Sequence, residues 1–113
     1  MSEYIPDKWV VVKIGDANVY KVFASWYGGY AGSDSWKLNS GITKATLIDN
    51  HYEIAHYEFE GSSGSVYRCA TSLYGTNSYG SGVLSNMIET AAKHGVTIEI
   101  LPEDTNWEDI TYE

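Results

Sequence analysis

The sequence predicts an α+β fold: an antiparallel, strongly twisted β-sheet of roughly five to seven strands, with one amphipathic helix packed on one face. Two observations lead to this prediction. Between residues 8 and 70, short β-branched and aromatic runs alternate with turns rich in glycine, asparagine and aspartate. Closer to the C-terminus, one segment repeats apolar residues with the period of an α-helix. The 113 residues are enough for a single domain spanning 1–113.

The first predicted strands form a hairpin. Lys8–Ile14 is a β-branched run between two turn signals, apolar enough to be buried on both faces. Residues 15–18 form a turn, and residues 19–25 pair back antiparallel to the first strand. A glycine-rich loop follows, and then a short strand over residues 36–40 that ends or bulges at Gly41.

A second group of strands follows. Residues 42–48 and 51–59 pair around an Asp49-Asn50 turn, and residues 65–70 return after a glycine-serine turn. Because the connections are short, neighbours in sequence are expected to be neighbours in the sheet. A last strand is predicted over residues 96–101, where Pro102 ends it.

The predicted helix covers residues 81–94, with Ser81 or Ser85 as the cap at its start and Gly95 as the left-handed stop. Its apolar positions form one stripe, which consists of Val83, Leu84, Met87, Ile88, Ala91 and Ala92. This stripe needs an apolar sheet face to cover it. The candidates for that face are Val10, Val12, Ile14 and Val22.

Charge and cysteine content limit the classes of function. The chain has a formal net charge of −8, and Arg68 is its one arginine, so we expect no direct nucleic-acid partner. The lone Cys69 allows no internal disulfide and fits a reducing compartment. No apolar run is long enough to cross a membrane, so we expect a cytoplasmic protein without a membrane partner. Residues 103–113 form an acidic C-terminal tail that holds five acids and no base.

The motifs favour a protein that is not an enzyme. The Gly61-Ser62-Ser63-Gly64-Ser65 segment departs from the nucleophile elbow of serine hydrolases and leads into a strand. Cys69 lies within a predicted strand, where a buried, inert thiol is the better interpretation. His51 and His56 are five residues apart on one predicted strand, which directs them to opposite faces. We therefore expect no catalytic residue, no metal site and no cofactor.

Ligand binding is the more promising prediction. Four segments combine glycine, hydroxyl and aromatic side chains, which suit base stacking and phosphate binding by main-chain N–H groups. The candidate ligand-binding residues are Trp26, Tyr27, Tyr30, Trp36, Asn39, Ser63, Ser65, Tyr67 and Arg68. The alternative is that these aromatics pack in strands, that the loops are ordinary hairpin turns, and that Arg68 pairs with Glu53 or Glu58.

Three segments carry a resemblance: Asp7-Lys8-Trp9-Val10-Val11-Val12-Lys13-Ile14, Ser35-Trp36-Lys37-Leu38-Asn39-Ser40-Gly41 and Gly64-Ser65-Val66-Tyr67-Arg68-Cys69. With them the chain resembles small proteins of unassigned function encoded by tailed bacteriophages. The resemblance implies a host-cell cytoplasmic setting and a counter-defence role, and it assigns no functional residue. Among small acidic phage proteins that act in counter-defence, some sequester cyclic nucleotide signals, and others block a defence enzyme with an acidic face.

Taken together, these observations predict a non-enzymatic phage protein that sequesters a nucleotide-derived host defence signal. The first alternative is an acidic inhibitor of a host nucleic-acid-processing defence enzyme, comparable to an anti-CRISPR protein or a DNA mimic. The second alternative is a small nucleotide-cleaving enzyme. Because 14% of the residues are aromatic, some apolar surface is expected to form an interface, so we also expect a homo-oligomer.

Overall fold

The computed structural model describes residues 2–28 and 32–112. Within them the protein is α+β, as predicted, with eight strands, one α-helix and two 3₁₀ turns. In chain order the elements are β1 (Glu3–Tyr4), β2 (Lys8–Ile14), β3 (Val19–Trp26), β4 (Ser35–Leu38), β5 (Ile42–Ile48), β6 (His56–Gly61), β7 (Val66–Ala70), a 3₁₀ turn (Thr71–Leu73), α1 (Ser78–Lys93), β8 (Ile98–Ile100) and a second 3₁₀ turn (Trp107–Asp109).

The strands form two four-stranded sheets, which corrects the prediction of one sheet with five to seven strands. Sheet I has the order β1-β7-β6-β5, and sheet II has the order β4-β3-β2-β8. Within β2–β4 and within β5–β7, strands adjacent in sequence pair antiparallel, as expected, but the chain changes sheet after β1, β4 and β7. The prediction of an antiparallel sheet also needs correction, because β1 pairs with β7 in parallel. The physical reason for two sheets lies in β2 and β3, whose central residues are buried on both faces of sheet II. A single helix covers one face of sheet II, and a second sheet covers the other.

The main core lies between the two sheets. Trp9 and Val11 of sheet II pack with Phe59 and Tyr67 of sheet I, and all four are buried. The indole Nε1 of Trp9 also donates a hydrogen bond of 2.7 Å to the main-chain oxygen of Ala70, which joins the two sheets directly. The alternation of side chains along β7 then directs Arg68 away from this core, onto the outer face of sheet I.

A second core lies between sheet II and the helix. Val10, Val12 and Phe23 pack there with Leu84 of α1, so the predicted roles of Val10 and Val12 are confirmed. The prediction for Val22 is wrong, because Val22 packs in the core between the sheets. The register pairs Val22 with Val11 and Phe23 with Val10, so Phe23 takes the place beneath the helix.

The helix begins at Ser78, three residues before the predicted start. Asn77 caps it instead of Ser81 or Ser85: the Asn77 side-chain oxygen accepts a hydrogen bond of 2.6 Å from the Gly80 amide. Asparagine is among the best N-cap residues because its side chain satisfies an amide that the helix leaves free. The end is as predicted, since Gly95 follows the helix with a φ of 77°.

The second hairpin is shorter than predicted, because its returning strand begins at His56 rather than at residue 51. The Asn50 side-chain oxygen accepts hydrogen bonds from the amides of Tyr52 and Glu53. This local turn competes with strand pairing and keeps residues 49–55 in a loop. His51 therefore lies outside β6, and the opposite-face argument for His51 and His56 does not apply.

The acidic tail packs against the body of the protein. Trp107 is 1% exposed and belongs to the core between the sheets. The Tyr112 hydroxyl donates a hydrogen bond to the main-chain oxygen of Trp107, and a Glu108 carboxylate oxygen accepts one of 3.2 Å from the Leu47 amide of β5. In the part of the chain that the structure describes, no helix is long and apolar enough to cross a membrane.

Candidate functional site

Of the predicted aromatic residues, Trp26, Tyr27 and Trp36 lie on or near sheet II. Trp36 stacks on Phe23 with ring centroids 5.6 Å apart, which places it on the helix side of that sheet. The Trp26 indole donates a hydrogen bond of 2.9 Å to the Ile5 main-chain oxygen. Tyr27 is largely exposed. Tyr30 lies outside the described residues.

Three of the predicted polar residues have structural contacts. The buried Asn39 side chain accepts a hydrogen bond of 2.9 Å from the main-chain amide of Val22 in β3. The hydroxyls of Ser63 and Ser65 lie 3.4 Å apart in the turn between β6 and β7. Ser63 also contacts the Ser40 hydroxyl, at 3.1 Å. These contacts join the loop after β4 to a hairpin turn of sheet I.

Tyr67 and Arg68 are adjacent in sequence but point to opposite faces of sheet I. Tyr67 is buried between the sheets, where its ring lies 4.9 Å from that of Tyr4. Arg68 is on the outer face and its side chain is 39% exposed. Trp36 lies on the far side of sheet II, so the structure does not bring Trp36 and Arg68 together.

Arg68 contacts two carboxylates. Its Nε lies 2.9 Å from a Glu3 oxygen, although without the alignment of a hydrogen bond, and 3.5 Å from a Glu58 oxygen. Glu58 faces Arg68 in the register of β6 with β7, and Glu3 reaches the same side chain from β1. The predicted pairing with Glu58 is therefore present.

Arg68 also lines a cavity on the outer face of sheet I, which we call the outer cavity. Its volume is about 430 Å³, within the range of small-molecule and side-chain pockets. The lining comes from four separate parts of the chain and consists of Ile5, Glu53, Ile54, His56, Arg68, Ala70 and Leu73. Most of this lining is aliphatic, so the cavity favours an apolar group of a ligand or a partner.

His56 forms part of the cavity wall and is nearly buried. Its Nδ1 lies 2.8 Å from the Ile54 main-chain oxygen. A carbonyl oxygen only accepts, so Nδ1 is the donor. This bond directs Nε2 toward Glu58, at a distance of 3.4 Å. Glu58 therefore lies between the imidazole of His56 and the guanidinium of Arg68, and the guanidinium supplies the charge that faces its carboxylate.

Acidic charge dominates around the outer cavity. Glu53 lines it, while Glu3 and Glu58 flank Arg68. Three carboxylates thus accompany one guanidinium. A single anionic ligand is repelled by this balance, whereas a neutral or cationic group is attracted.

Exposed apolar side chains lie at the rim of the outer cavity. Ile54 is 78% exposed and Ile5 is 65% exposed, and both belong to the lining. Tyr52, in the same loop as Ile54, is 94% exposed. We call the outer cavity together with Tyr52 the outer patch. Exposed apolar side chains next to charged groups are common in protein docking surfaces.

The sequence predicts a ligand-binding role for Arg68 but not for the other residues of the outer patch. The sequence predicts a strand over residues 51–59, and side-chain alternation along a strand does not show that Tyr52 and Ile54 are exposed. Glu3 belongs to a strand of two residues, which is too short to show a pattern, and Ile5 follows directly after that strand. The signal that was present is the Asn50 turn, which takes Tyr52 and Ile54 out of the sheet.

The other groups with potential for chemistry are less accessible. Cys69 is buried between the sheets, as predicted, and burial raises the pKa of its thiol well above the usual value. Within residues 2–28 and 32–112, no group of three or more histidine, cysteine, aspartate or glutamate side chains is placed to hold a metal ion. The fold and the cavity thus define an α+β protein with an acidic, apolar-centred surface patch. Comparisons of the chain with models of protein families, with curated proteins and with solved structures give no match.

Proposed function

We propose that this protein is a non-enzymatic binding protein that docks onto a partner protein through the outer patch. The observation that supports it is an aliphatic cavity lined in part by the exposed Ile5 and Ile54, with the exposed Tyr52 in the same loop as Ile54. Solvated isoleucine and tyrosine side chains of this size lower the free energy when a partner covers them, by about 25 cal/mol per Å² of apolar area. The cavity accepts one apolar side chain of that partner as an anchor.

The charge of the patch selects a basic partner. Glu3, Glu53 and Glu58 surround the single Arg68, and the whole chain carries a formal charge of −8. Long-range attraction therefore raises the rate of encounter with a cationic surface and weakens as salt screens it. A host enzyme that binds nucleic acid has such a surface. The resemblance to tailed-phage proteins supplies the setting, which is inhibition of a host nucleic-acid-processing defence enzyme in the cytoplasm.

The test compares two matched variants in affinity capture from bacterial lysate. Ile54→Lys places a charge in the outer patch. Ile100→Lys makes the same change at another exposed isoleucine, on β8 of sheet II. We expect the parent and Ile100→Lys to retain one and the same protein, and Ile54→Lys to lose it. Equal capture by both variants, at unchanged melting temperature, would show that docking does not use the outer patch.

A second candidate function is sequestration of a nucleotide-derived signal, for which the position of Arg68 in the cavity wall provides support. A guanidinium recognises phosphate with a planar pair of donors, and the aliphatic walls accept a base. The ion pairs to Glu3 and Glu58 oppose this function, because a phosphate must compete with them. We therefore place it second.

Thermal unfolding in the presence of cyclic di- and trinucleotides and ADP-ribose derivatives separates the two candidates. A ligand at about 100 times its Kd adds about 2.7 kcal/mol to the free energy of unfolding and raises the melting temperature. Sequestration through Arg68 predicts that Arg68→Ala removes this rise. No rise with any of these ligands leaves protein docking as the sole candidate of the two.

A further inference from the structure

β5 forms one edge of sheet I, and it is the longest edge strand in the described structure. Its seven residues pair with β6 on one side. The other edge strands, β1, β4 and β8, have two to four residues each. A long edge strand presents a row of main-chain donors and acceptors to any extended segment that approaches it.

The register shows which main-chain groups of β5 face outward. The Leu47 amide donates to the Glu108 carboxylate rather than to β6, so Leu47 belongs to the outward-facing set. Antiparallel ladders alternate, and Ala45 therefore faces outward as well. Within the described residues, the N–H and C=O of Ala45 have no main-chain partner on that side.

A groove runs along this edge, with a volume of about 460 Å³. One wall is β5 itself, and the other is the C-terminal tail. The lining residues are Thr43, Lys44, Ala45, Thr46, Glu108, Ile110 and Tyr112. Ala45 is one of the lining residues, and the groove offers both polar and apolar contacts to a segment lying in it.

Glu108 already binds the edge as a neighbouring strand does. Its carboxylate accepts the Leu47 N–H at 3.2 Å, in the position where the carbonyl of an added strand would lie. This contact shows that an outward-facing amide of β5 donates a hydrogen bond to an acceptor that does not belong to sheet I. It also leaves an exposed carboxylate at one end of the groove, beside the outward-facing groups of Ala45.

The charges indicate the chemistry of the occupant. Of the acids of the tail, Glu108 lines the groove and Asp109 follows it in sequence, and the tail carries no base. Lys44 is the base in the lining, and it lies opposite Glu60 in the register of β5 with β6. A second copy of this chain, with a charge of −8, is repelled from such an edge at low salt. A segment rich in lysine or arginine is attracted to it.

We propose that β5 binds, at the part of its edge next to Ala45, an extended, basic segment of a partner protein by strand addition. The main chain of the segment pairs with Ala45, and its cationic side chains contact Glu108 and the acidic tail. This site lies on the edge of sheet I opposite β1 and uses none of the residues of the outer patch. It is therefore an addition to the proposed docking function and does not depend on it.

The probe is an acetylated, amidated peptide of about ten residues that alternates lysine and valine, which matches the length of a natural strand. A peptide that alternates glutamate and valine is the control. We expect the lysine peptide to slow hydrogen exchange at the Ala45 amide by at least about tenfold, and the glutamate peptide to leave it unchanged. The proposal is overturned if neither peptide slows exchange or if both slow it equally. It is also overturned if protection of Ala45 appears without peptide and grows with protein concentration, because a second copy then occupies the edge.

Variants locate the site. Ala45→Pro removes the outward N–H and keeps the ladder to β6, since proline is tolerated where the N–H faces away from the sheet. We expect Ala45→Pro to abolish binding of the lysine peptide.

Should Ala45→Pro not fold, Glu108→Lys tests the site instead. Glu89→Lys, on the exposed face of α1, is the control with the same charge reversal. We expect at least about tenfold weaker peptide binding for Glu108→Lys and parental binding for Glu89→Lys. Unchanged binding to Glu108→Lys contradicts the proposal. Ile54→Lys should bind as the parent does, and this separates the site from the outer patch.

Discussion

Tyr67 connects burial between the sheets to stability at high pH. Burial, together with charge on Tyr4 and Cys69, raises the pKa of Tyr67 to about 12, whereas in the unfolded chain it is about 10. Between these values the folded state holds a proton that the unfolded state has lost. The free energy of unfolding therefore falls as pH rises from about 10 to about 12, and this contribution is fully present below about pH 10.

We expect Tyr67→Phe to reduce the slope of unfolding free energy against pH in that range. Denaturant titrations at pH values from about 9 to about 12 measure it. The slope does not vanish, because burial also raises the pKa of Tyr57, Tyr74 and Tyr112. Tyr52→Phe is the control, since Tyr52 is almost fully exposed. An identical slope in Tyr67→Phe and the parent would contradict the assignment.

Arg68 illustrates how little an exposed ion pair stabilises a fold. Its contacts with Glu3 and Glu58 involve side chains that are all about a third or more exposed, and such pairs contribute less than about 1 kcal/mol. We expect Arg68→Ala to lower the free energy of unfolding by less than about 1 kcal/mol, as measured by denaturant unfolding at neutral pH. A loss of several kcal/mol would mean that Glu3 and Glu58 are buried charges that require this arginine.

At the scale of the element, the N-cap of α1 distinguishes the structure from the sequence prediction. The Asn77 side chain satisfies the Gly80 amide, so we expect Asn77→Ala to lower the free energy of unfolding by about 1 kcal/mol. Ser81 and Ser85 lie within the helix. Ser81→Ala and Ser85→Ala should therefore each change the free energy of unfolding by less than about 0.5 kcal/mol. Thermal and denaturant unfolding of the three variants measures the difference. A larger loss for either serine variant than for Asn77→Ala would favour the predicted later start.

The acidic tail behaves as a structural element because of Trp107. Its indole packs edge to face with Trp9 and Phe59 in the core between the sheets. We expect Trp107→Ala to lower the free energy of unfolding by about 3–5 kcal/mol, the range for a buried tryptophan. Tyr112→Phe removes only the hydrogen bond to Trp107 and should lose about 1 kcal/mol. If Trp107→Ala loses no more than Tyr112→Phe, the tail does not belong to the core.

For the whole molecule, the two-sheet arrangement changes how the aromatic content is understood. Five large aromatic side chains are buried, namely Trp9, Phe23, Phe59, Tyr67 and Trp107. They fill the layers on either side of sheet II and remove much of the apolar area on which the expectation of a homo-oligomer rests. That expectation stays a prediction. Sedimentation at tens of micromolar measures it, and a mass of 12.5 kDa would contradict it.

The sequence by itself determined the class of the fold, the β2–β3 hairpin, the body and end of the helix and the burial of Cys69. Each of these depends on a pattern within a few neighbouring residues, such as side-chain alternation or a glycine stop. The tertiary structure decided which faces meet. The pairing of β1 with β7, and of β8 with β2, joins residues that are far apart in the chain, and no local pattern specifies it. For the same reason, the outer cavity was not predicted. Ile5, Ile54, Arg68 and Leu73 come together only because the second sheet covers the face of β2 and β3 that the helix leaves open, and this turns Arg68 outward.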